Sequence, residues 1–236
     1  FAAVKNLEKN NKEKIRRLYF TQDRAPLFGG LCKYLSKRKA PYNLVEPKEL
    51  EKLCGSIHHQ GVVAMIDEPE IKQLSSKEIS LWIKNKQHAI LLDRIGNANN
   101  LGAIVRSAAF FGIKNIIIPD DEAQSSITTS SYRVAEGGME FVNIFSTSSS
   151  IKLLKDVEGK MVRIGTDLSA RKTVSAIHGL CKSKSALIIL GNEERGISEK
   201  VRENCDELVI IPFLGMNEGK SSQVESLNVA QAASII

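Results

Sequence analysis

A chain of 236 residues, 42% hydrophobic and 25% charged, has room for one large domain or two modest ones, and its composition excludes disordered and fibrous classes. No apolar run approaches the roughly 18–20 residues of a membrane span, and the opening "FAAVKNLEKNNKEK" lacks the apolar core of a secretory signal, so a cytoplasmic protein is expected. The net charge of +6 is unevenly placed: residues 1–66 carry 13 Lys and Arg against 6 Asp and Glu, a net +7, while residues 67–236 carry 20 against 21, a net −1. A basic part joined to a near-neutral one is the electrostatic outline of a polyanion-gripping unit beside a unit with another task, although a solvated surface has the same count.

In chain order, "AVKNLEKNNKEKI" has helical periodicity, "RRLYF" reads as a strand, "LFGGLCKYLSKRKA" as a helix, "YNLVE" as a strand, "PKELEKLC" as a helix and "HHQGVVAMID" as a strand. These predict a small α/β domain over residues 1–67. A polar connector follows over 68–88, with Pro69 and a serine pair, and its Trp82 is expected to pack the connector's helix onto one of the domains. From Ala89 strands and helices alternate: "AILLD", "LGAIVRSAAFFG", "NIIIP", "SSITTSSYRVAEGG", "EFVNIF", "SIKLLKDV", "MVRIGTD", "ALIILG", "SEKVRENC", "ELVIIPF" and "SLNVAQAASII". Strands apolar throughout, with helices between them, predict a mostly parallel sheet covered on both faces over residues 89–236. Ligands of such sheets sit in the loops at the carboxyl ends of the strands.

Two side issues are settled by spacing. Cys32, Cys54, Cys181 and Cys205 show no C-x-x-C pattern and read as reduced packing residues, and the adjacent His58 and His59 lack acidic or thiol partners nearby, so no metal is expected. The segment "GMNEGKS" resembles a phosphate loop, but Gly215 and Gly219 enclose three residues where that pattern needs four.

Three loops carry the candidate chemistry. In "AILLDRIGNANNLGAIVRSAAFFG", Asn99 or Asn100 is placed to cap a helix whose apolar stripe is Leu101, Ile104, Val105 and Ala108, and Arg106 lies off that stripe. In "LIILGNEERGIS", Glu193 and Glu194 stand between Gly191 and Gly196 in a turn before a helix capped by Ser198, where a glycine permits close backbone approach. In "LVIIPFLGMNEGKSSQVESLNVAQAASII", Ser226 is expected to cap the final helix, whose start offers free N–H groups.

Taken together, these segments resemble the three signature motifs of the SpoU (TrmH-like) branch of the SPOUT RNA methyltransferases: N-x-x-N-L-G-x-x-x-R-[ST]-A, then G-x-E-x-x-G, then I-P-x-x-G followed by S-L-N-V. The resemblance covers Ala89 to Ile236, and the segment ending "HQGVVA" is similar to that family's substrate-binding domain, a ribosomal-protein-like α/β fold. It implies a SPOUT α/β-knot with a deep trefoil knot at the C-terminus, against the general rule that chains do not thread their own loops. It also implies S-adenosylmethionine as cofactor, ribosomal or transfer RNA as substrate, and a homodimer through the knot domain whose active site draws on both subunits. By the same resemblance the cofactor meets backbone at Gly191, Ile211 and Leu227, with Thr166 a further contact. Arg106 corresponds to the catalytic arginine that activates a ribose 2′-hydroxyl, Asn100 to the residue that holds it, Glu193 to the acidic residue of the second motif, and Ser226 and Asn228 to the polar pair of the third.

The sulfonium of such a cofactor is intrinsically a good methyl donor, so alignment and proton removal are the enzyme's main tasks. A guanidinium with an ordinary pKa above about 12 is a poor base. Two roles for Arg106 therefore stay open: deprotonation in a desolvated dimer interface, or a lasting charge that stabilises the developing alkoxide. A non-catalytic RNA-binding relative of the same fold is the alternative function. The chain departs from the pattern at Ala98 and Asn99, where N-P-H-N is usual, at an insertion spanning 217–223, and at Ala230, where a serine is common. Its start without methionine and its end in mid-helix read as a piece of a longer protein.

Overall fold

A computed structural model describes residues 1–121, 123–213 and 226–236. The first unit contains α1 (Ala2–Asn10), β1 (Ile15–Phe20), α2 (Gly29–Lys37), β2 (Tyr42–Leu44), α3 (Pro47–Cys54) and β3 (Val62–Ile66). Its sheet has the order β2-β1-β3, parallel between β1 and β2 and antiparallel between β1 and β3. Alternation on β1 sends Leu18 and Phe20 into a core with Val4 and Leu7 of α1, Leu31 and Leu35 of α2, and Phe28. The first helix is shorter than its periodicity suggests: it stops at Asn10, and residues 12–14 form a three-ten turn that feeds β1.

The connecting stretch is built into the second unit. Its β4 (Lys72–Gln73) pairs with a later strand, and α4 (Ser76–Lys84) is capped by the Ser75 hydroxyl, which accepts from Glu78 N. Trp82 packs that helix onto the larger sheet, 5.6 Å from the Phe145 ring centroid. The remaining elements are β5 (Ala89–Asp93), α5 (Ala98–Phe111), β6 (Asn115–Pro119), α6 (Thr129–Ala135), β7 (Asn143–Thr147), α7 (Ser150–Asp156), β8 (Val162–Thr166), β9 (Lys172–Thr173), α8 (Ile177–Leu180), β10 (Ala186–Gly191), α9 (Glu199–Glu203), β11 (Glu207–Ile210) and α10 (Val229–Ile235). The two-residue edge strands β4 and β9 carry no apolar signal, because edge strands have little to bury.

The larger sheet has the order β4-β7-β6-β5-β10-β8-β11-β9, and every pairing in it is parallel. Its apolar strands feed two cores at once. Ile90 and Leu92 of β5 join Ile116, Ile118, Ile188 and Leu190 under α5 on one face, whereas Ala89 and Leu91 join Ile117, Leu187 and Ile189 under α4 and α7 on the other. Each such buried Leu or Ile contributes roughly 1.5–3 kcal/mol of transfer free energy, which is why both faces of a central parallel strand must be apolar.

The topology creates the site. From β5 the sheet grows one way through β6 and β7 and the other way through β10, β8 and β11, so the carboxyl ends of β5 and β10 flank the point where the order reverses. After β11 the chain comes back, and α10 packs on α5 and near β10 rather than at the far edge. The knot expected at the C-terminus falls in part on residues 214–225, which lie outside the described residues, as do the 217–223 insertion and the "GMNEGKS" segment.

Candidate functional site

Helix α5 starts one turn earlier than its apolar stripe. Asn97, in extended conformation, caps it by accepting from Asn99 N at 2.8 Å, in place of the expected Asn99 or Asn100. Asn100, in the first turn, keeps its whole carboxamide for contacts across the site. The stripe behaves as expected, with Leu101, Ile104, Val105 and Ala108 buried.

The loop after β10 is a tight reversal. Asn192 and Gly196 exchange both main-chain hydrogen bonds, at 3.0 and 2.9 Å, and the Asn192 carboxamide oxygen accepts from Glu194 N and Arg195 N. Gly196 sits at φ +67°, and a β-carbon on Gly191 would overlap the main chain of Gly196 and Ile197. Glycine at 191 is therefore demanded by the loop's own packing, a reason distinct from ligand approach. Two further bonds tie this loop to the end of β5: Asn192 Nδ2 donates to Arg94 O at 2.9 Å, and Ser198 N donates to Asp93 Oδ2 at 2.6 Å. Ser198 precedes α9 but makes no side-chain cap.

These anchors bring three distant segments together. Asn100 Nδ2 donates to Glu193 Oε1 at 2.6 Å, and Asn228 Nδ2 donates to Asn100 Oδ1 at 3.0 Å. Asn228, rather than the expected Ser226, caps α10, its Oδ1 accepting from Ala230 N at 2.9 Å. Asparagine can do both at once because its carboxamide carries an acceptor and two donors, whereas a serine two residues earlier lies outside the reach of the first turn. Ser226 and Leu227 are exposed beside this chain of bonds, and Ser107 and Ser234 hydroxyls, 2.8 Å apart, join α5 to α10.

Arg106 stands apart from the trio. It lies six residues beyond Asn100 on α5, about 9 Å along the axis, and its Nη2 is 3.1 Å from Glu136 Oε2, with both side chains about half exposed. Nothing among the described residues links it to Asn100, Glu193 or Asn228. Sequence reasoning missed Glu136: the Gly137-Gly138 pair after it marks a turn, but no spacing connects it with an arginine thirty residues earlier. It missed Asp93 as well, because a buried carboxylate at a strand end looks like any strand terminus.

The expected cofactor residues cluster by topology. Thr166, Gly191 and Ile211 lie at or just beyond the carboxyl ends of β8, β10 and β11, which are consecutive neighbours in the sheet, and Leu227 leads into α10, which packs near β10. Thr166 Oγ1 donates to Ile189 O at 3.2 Å, which locks β8 to β10 where the two strands end. The donor set suits a group recognised through main-chain atoms and held by apolar contact, since Ile211 is half-buried and Leu227 exposed. Burial pushes the Cys205 thiol up to about 12, in keeping with a packing role against β8. Among the described residues no group of His, Cys, Asp or Glu is arranged to hold a metal, and no helix is long and apolar enough to cross a membrane.

The basic surface of the first unit is concentrated around Tyr34. Lys12 Nζ lies 4.7 Å and the Arg38 guanidinium 5.6 Å from its ring centroid. Lys33, Lys37 and Lys39 are exposed on and after the same helix and make no ion pair among the described residues. Between the two units, α1, β3 and α6 border a cleft of about 500 Å³.

Comparison with known proteins adds a family to this geometry. Residues 87–236 match the model of the SpoU rRNA Methylase family, and residues 1–72 match that of RNA 2′-O ribose methyltransferase substrate binding. The chain is 32% identical over 188 residues to the 23S rRNA (guanosine-2′-O-)-methyltransferase RlmB of Acinetobacter baylyi, covering 78% of this chain and 71% of that protein. It is 33% identical over 133 residues to an uncharacterized tRNA/rRNA methyltransferase of Haemophilus influenzae, covering 56% of this chain and 36% of that protein. The chain thus spans between about a third and seven-tenths of these curated relatives. Among solved structures, the SpoU methyltransferase AviRb of Streptomyces viridochromogenes in complex with AdoMet has the same fold, with a TM-score of 0.73 at 22% identity, covering 99% of this chain and 84% of that one.

Proposed function

Because this chain belongs to the SpoU rRNA methylase family, we propose that it is an S-adenosylmethionine-dependent methyltransferase acting on a ribose 2′-hydroxyl of ribosomal or transfer RNA. The observation that carries this reading is the hydrogen-bonded chain Glu193–Asn100–Asn228, in which one residue from each of three motifs meets at the reversal point of the parallel sheet.

In this reading residues 1–67 are the RNA-binding domain, 68–88 the connector and 89–236 the methyltransferase domain. The main chain at Gly191, Ile211 and Leu227, with Thr166 beside them, holds the cofactor, which when bound supplies an electrophilic methyl group. The carboxyl ends of adjacent parallel strands support that placement. Glu193, Asn100 and Asn228, with Ser226 next to them, fix the loops that border the reacting groups. Such fixing accelerates methyl transfer by alignment, because a prepositioned nucleophile avoids the entropy cost of encounter. Arg106 faces the ribose oxygen, where a guanidinium that stays charged stabilises the negative charge that develops as the hydroxyl proton passes to water or to an RNA phosphate. Its distance from the trio fits a homodimer in which one subunit's Arg106 serves the partner's pocket. The exposed Phe110, Phe111 and Ile235 on the α5 and α10 surface suit such an interface. The cations around Tyr34 supply phosphate contacts. A cytoplasmic location completes the proposal.

The test is incubation of the protein with radiolabelled S-adenosylmethionine and total RNA, followed by nuclease digestion. Label in 2′-O-methylated nucleosides is the expected result. RNA binding without cofactor uptake would make the protein a non-catalytic relative and overturn the reading.

A further inference from the structure

The segment between α6 and β7 is held from two sides. Glu136, a non-glycine residue at φ +47°, opens it, and Gly137 follows at φ +91°. From the first unit, Asn6 Nδ2 donates to Glu136 O at 3.4 Å, and a β-carbon on Gly137 would collide with the Asn6 side chain. The Glu140 carboxylate, only 2% exposed, accepts from Asn11 Nδ2 and from Lys14 Nζ at 3.2 Å. From the second unit, a β-carbon on Gly138 would stand 3.2 Å from Arg106 Cα and 3.3 Å from Val105 O. Residues 136–140 are thus wedged between α1 and the turn of α5 that carries Arg106. At the head of this wedge, Glu136 holds the Arg106 guanidinium at 3.1 Å.

An ion pair with both partners half exposed adds little to stability, and a left-handed non-glycine residue is a strained conformation that persists only where its surroundings fix it. The arrangement therefore calls for a reason other than stability. We propose that Glu136 is a positioning residue for Arg106, and that the first unit sets the direction of that arginine by clamping residues 136–140 through Asn6, Asn11 and Lys14. The inference rests on the reading of Arg106 as the group that faces the ribose oxygen. It makes the first unit more than an RNA tether, because its seating on the second unit determines where the guanidinium points. The contact with Glu136 restricts the directions open to the Arg106 guanidinium, so the arginine arrives preoriented.

The test uses the intact chain and four variants, Glu136→Gln, Glu136→Asp, Asn6→Ala and Arg106→Lys, with total RNA as acceptor. Glu136→Gln is expected to lower the rate at saturating RNA about tenfold, with the half-saturating RNA concentration and the cofactor Kd unchanged within twofold. Glu136→Asp is expected to restore part of the rate, and Asn6→Ala to lower it in the same way as Glu136→Gln but less. A readout independent of turnover is the exchange of the Arg106 Nη–H protons in NMR, assigned by their loss in Arg106→Lys, which should quicken in Glu136→Gln and Asn6→Ala. An unchanged rate in Glu136→Gln, or a loss matched by weaker RNA or cofactor binding, overturns the proposal. If the wild-type chain transfers no methyl group to any RNA, the proposed function fails, and unaltered Nη–H exchange in the variants then overturns the positioning role on its own.

Discussion

The two sheets of this molecule are made from the same kinds of strand and helix, yet they concentrate different physical quantities. The first unit has three strands, one compact core and a surplus of seven positive charges, carried on long side chains that stay largely in water. The second unit is near neutral, has eight strands and two cores, and places its polar side chains at strand ends, where they bond to one another. Charge acts at a distance and tolerates imprecise placement, whereas a hydrogen-bonded reaction site tolerates errors of only fractions of an ångström. A cell needing both an RNA grip and an aligned methyl transfer gains from separating them, because a rigid pocket and a solvated basic surface make opposite demands on burial.

That contrast is broken most severely at Arg106. Arg106→Ala should lower methylation by about a hundred- to a thousandfold, as loss of an electrostatic stabiliser does, while calorimetry of cofactor binding stays near wild type; retained turnover would deny Arg106 its catalytic role. A smaller effect is expected at the inner edge of that unit. The Arg163 side chain, 7% exposed, bonds Asp206 through Nη2 at 2.5 Å and Nε at 3.0 Å, and the guanidinium holds the Asp206 carboxyl below the usual carboxylate range. Asp206→Asn should cost about 2 kcal/mol in chemical denaturation at pH 7, less than the roughly 3–5 of a fully buried pair because Asp206 is 36% exposed to water. A depressed folded pKa stabilises above the unfolded value of about 3.9 and stops doing so as pH falls through the folded value. The gap between wild type and variant should therefore start to narrow near pH 4 and go on shrinking as pH falls through the lower folded value, and a gap that stays constant over that fall would refute the assignment.

The mildest test addresses the first unit. Replacing Lys33, Lys37 and Lys39 with Gln should weaken RNA binding severalfold without altering the rate at saturation, and each lost phosphate contact should reduce the slope of log affinity against log salt by about 0.7–0.9. A fall in the saturated rate instead would mean that charge and alignment are not divided between the units as described.

Much of this was legible in the sequence because it rests on local rules. The apolar strands, the covered parallel sheet, the split of charge and the stripe Leu101, Ile104, Val105, Ala108 follow from period and composition, which depend on neighbours along the chain. The resemblance of the three motifs to those of a known family also marked Asn100, Glu193 and Asn228. What the sequence left open depended on geometry between residues far apart. Asn97 rather than Asn99 or Asn100, and Asn228 rather than Ser226, cap their helices because backbone conformation, not residue type alone, decides which oxygen meets the free N–H groups. Gly191 is needed by a loop that folds back over it, and Glu136 meets Arg106 only because α6 and the turn after it pack against α5. Periodicity and composition report the environment that each residue needs. Only the folded chain decides which residue provides it, because the contacts that select among equivalent side chains are made across the sheet and between the units.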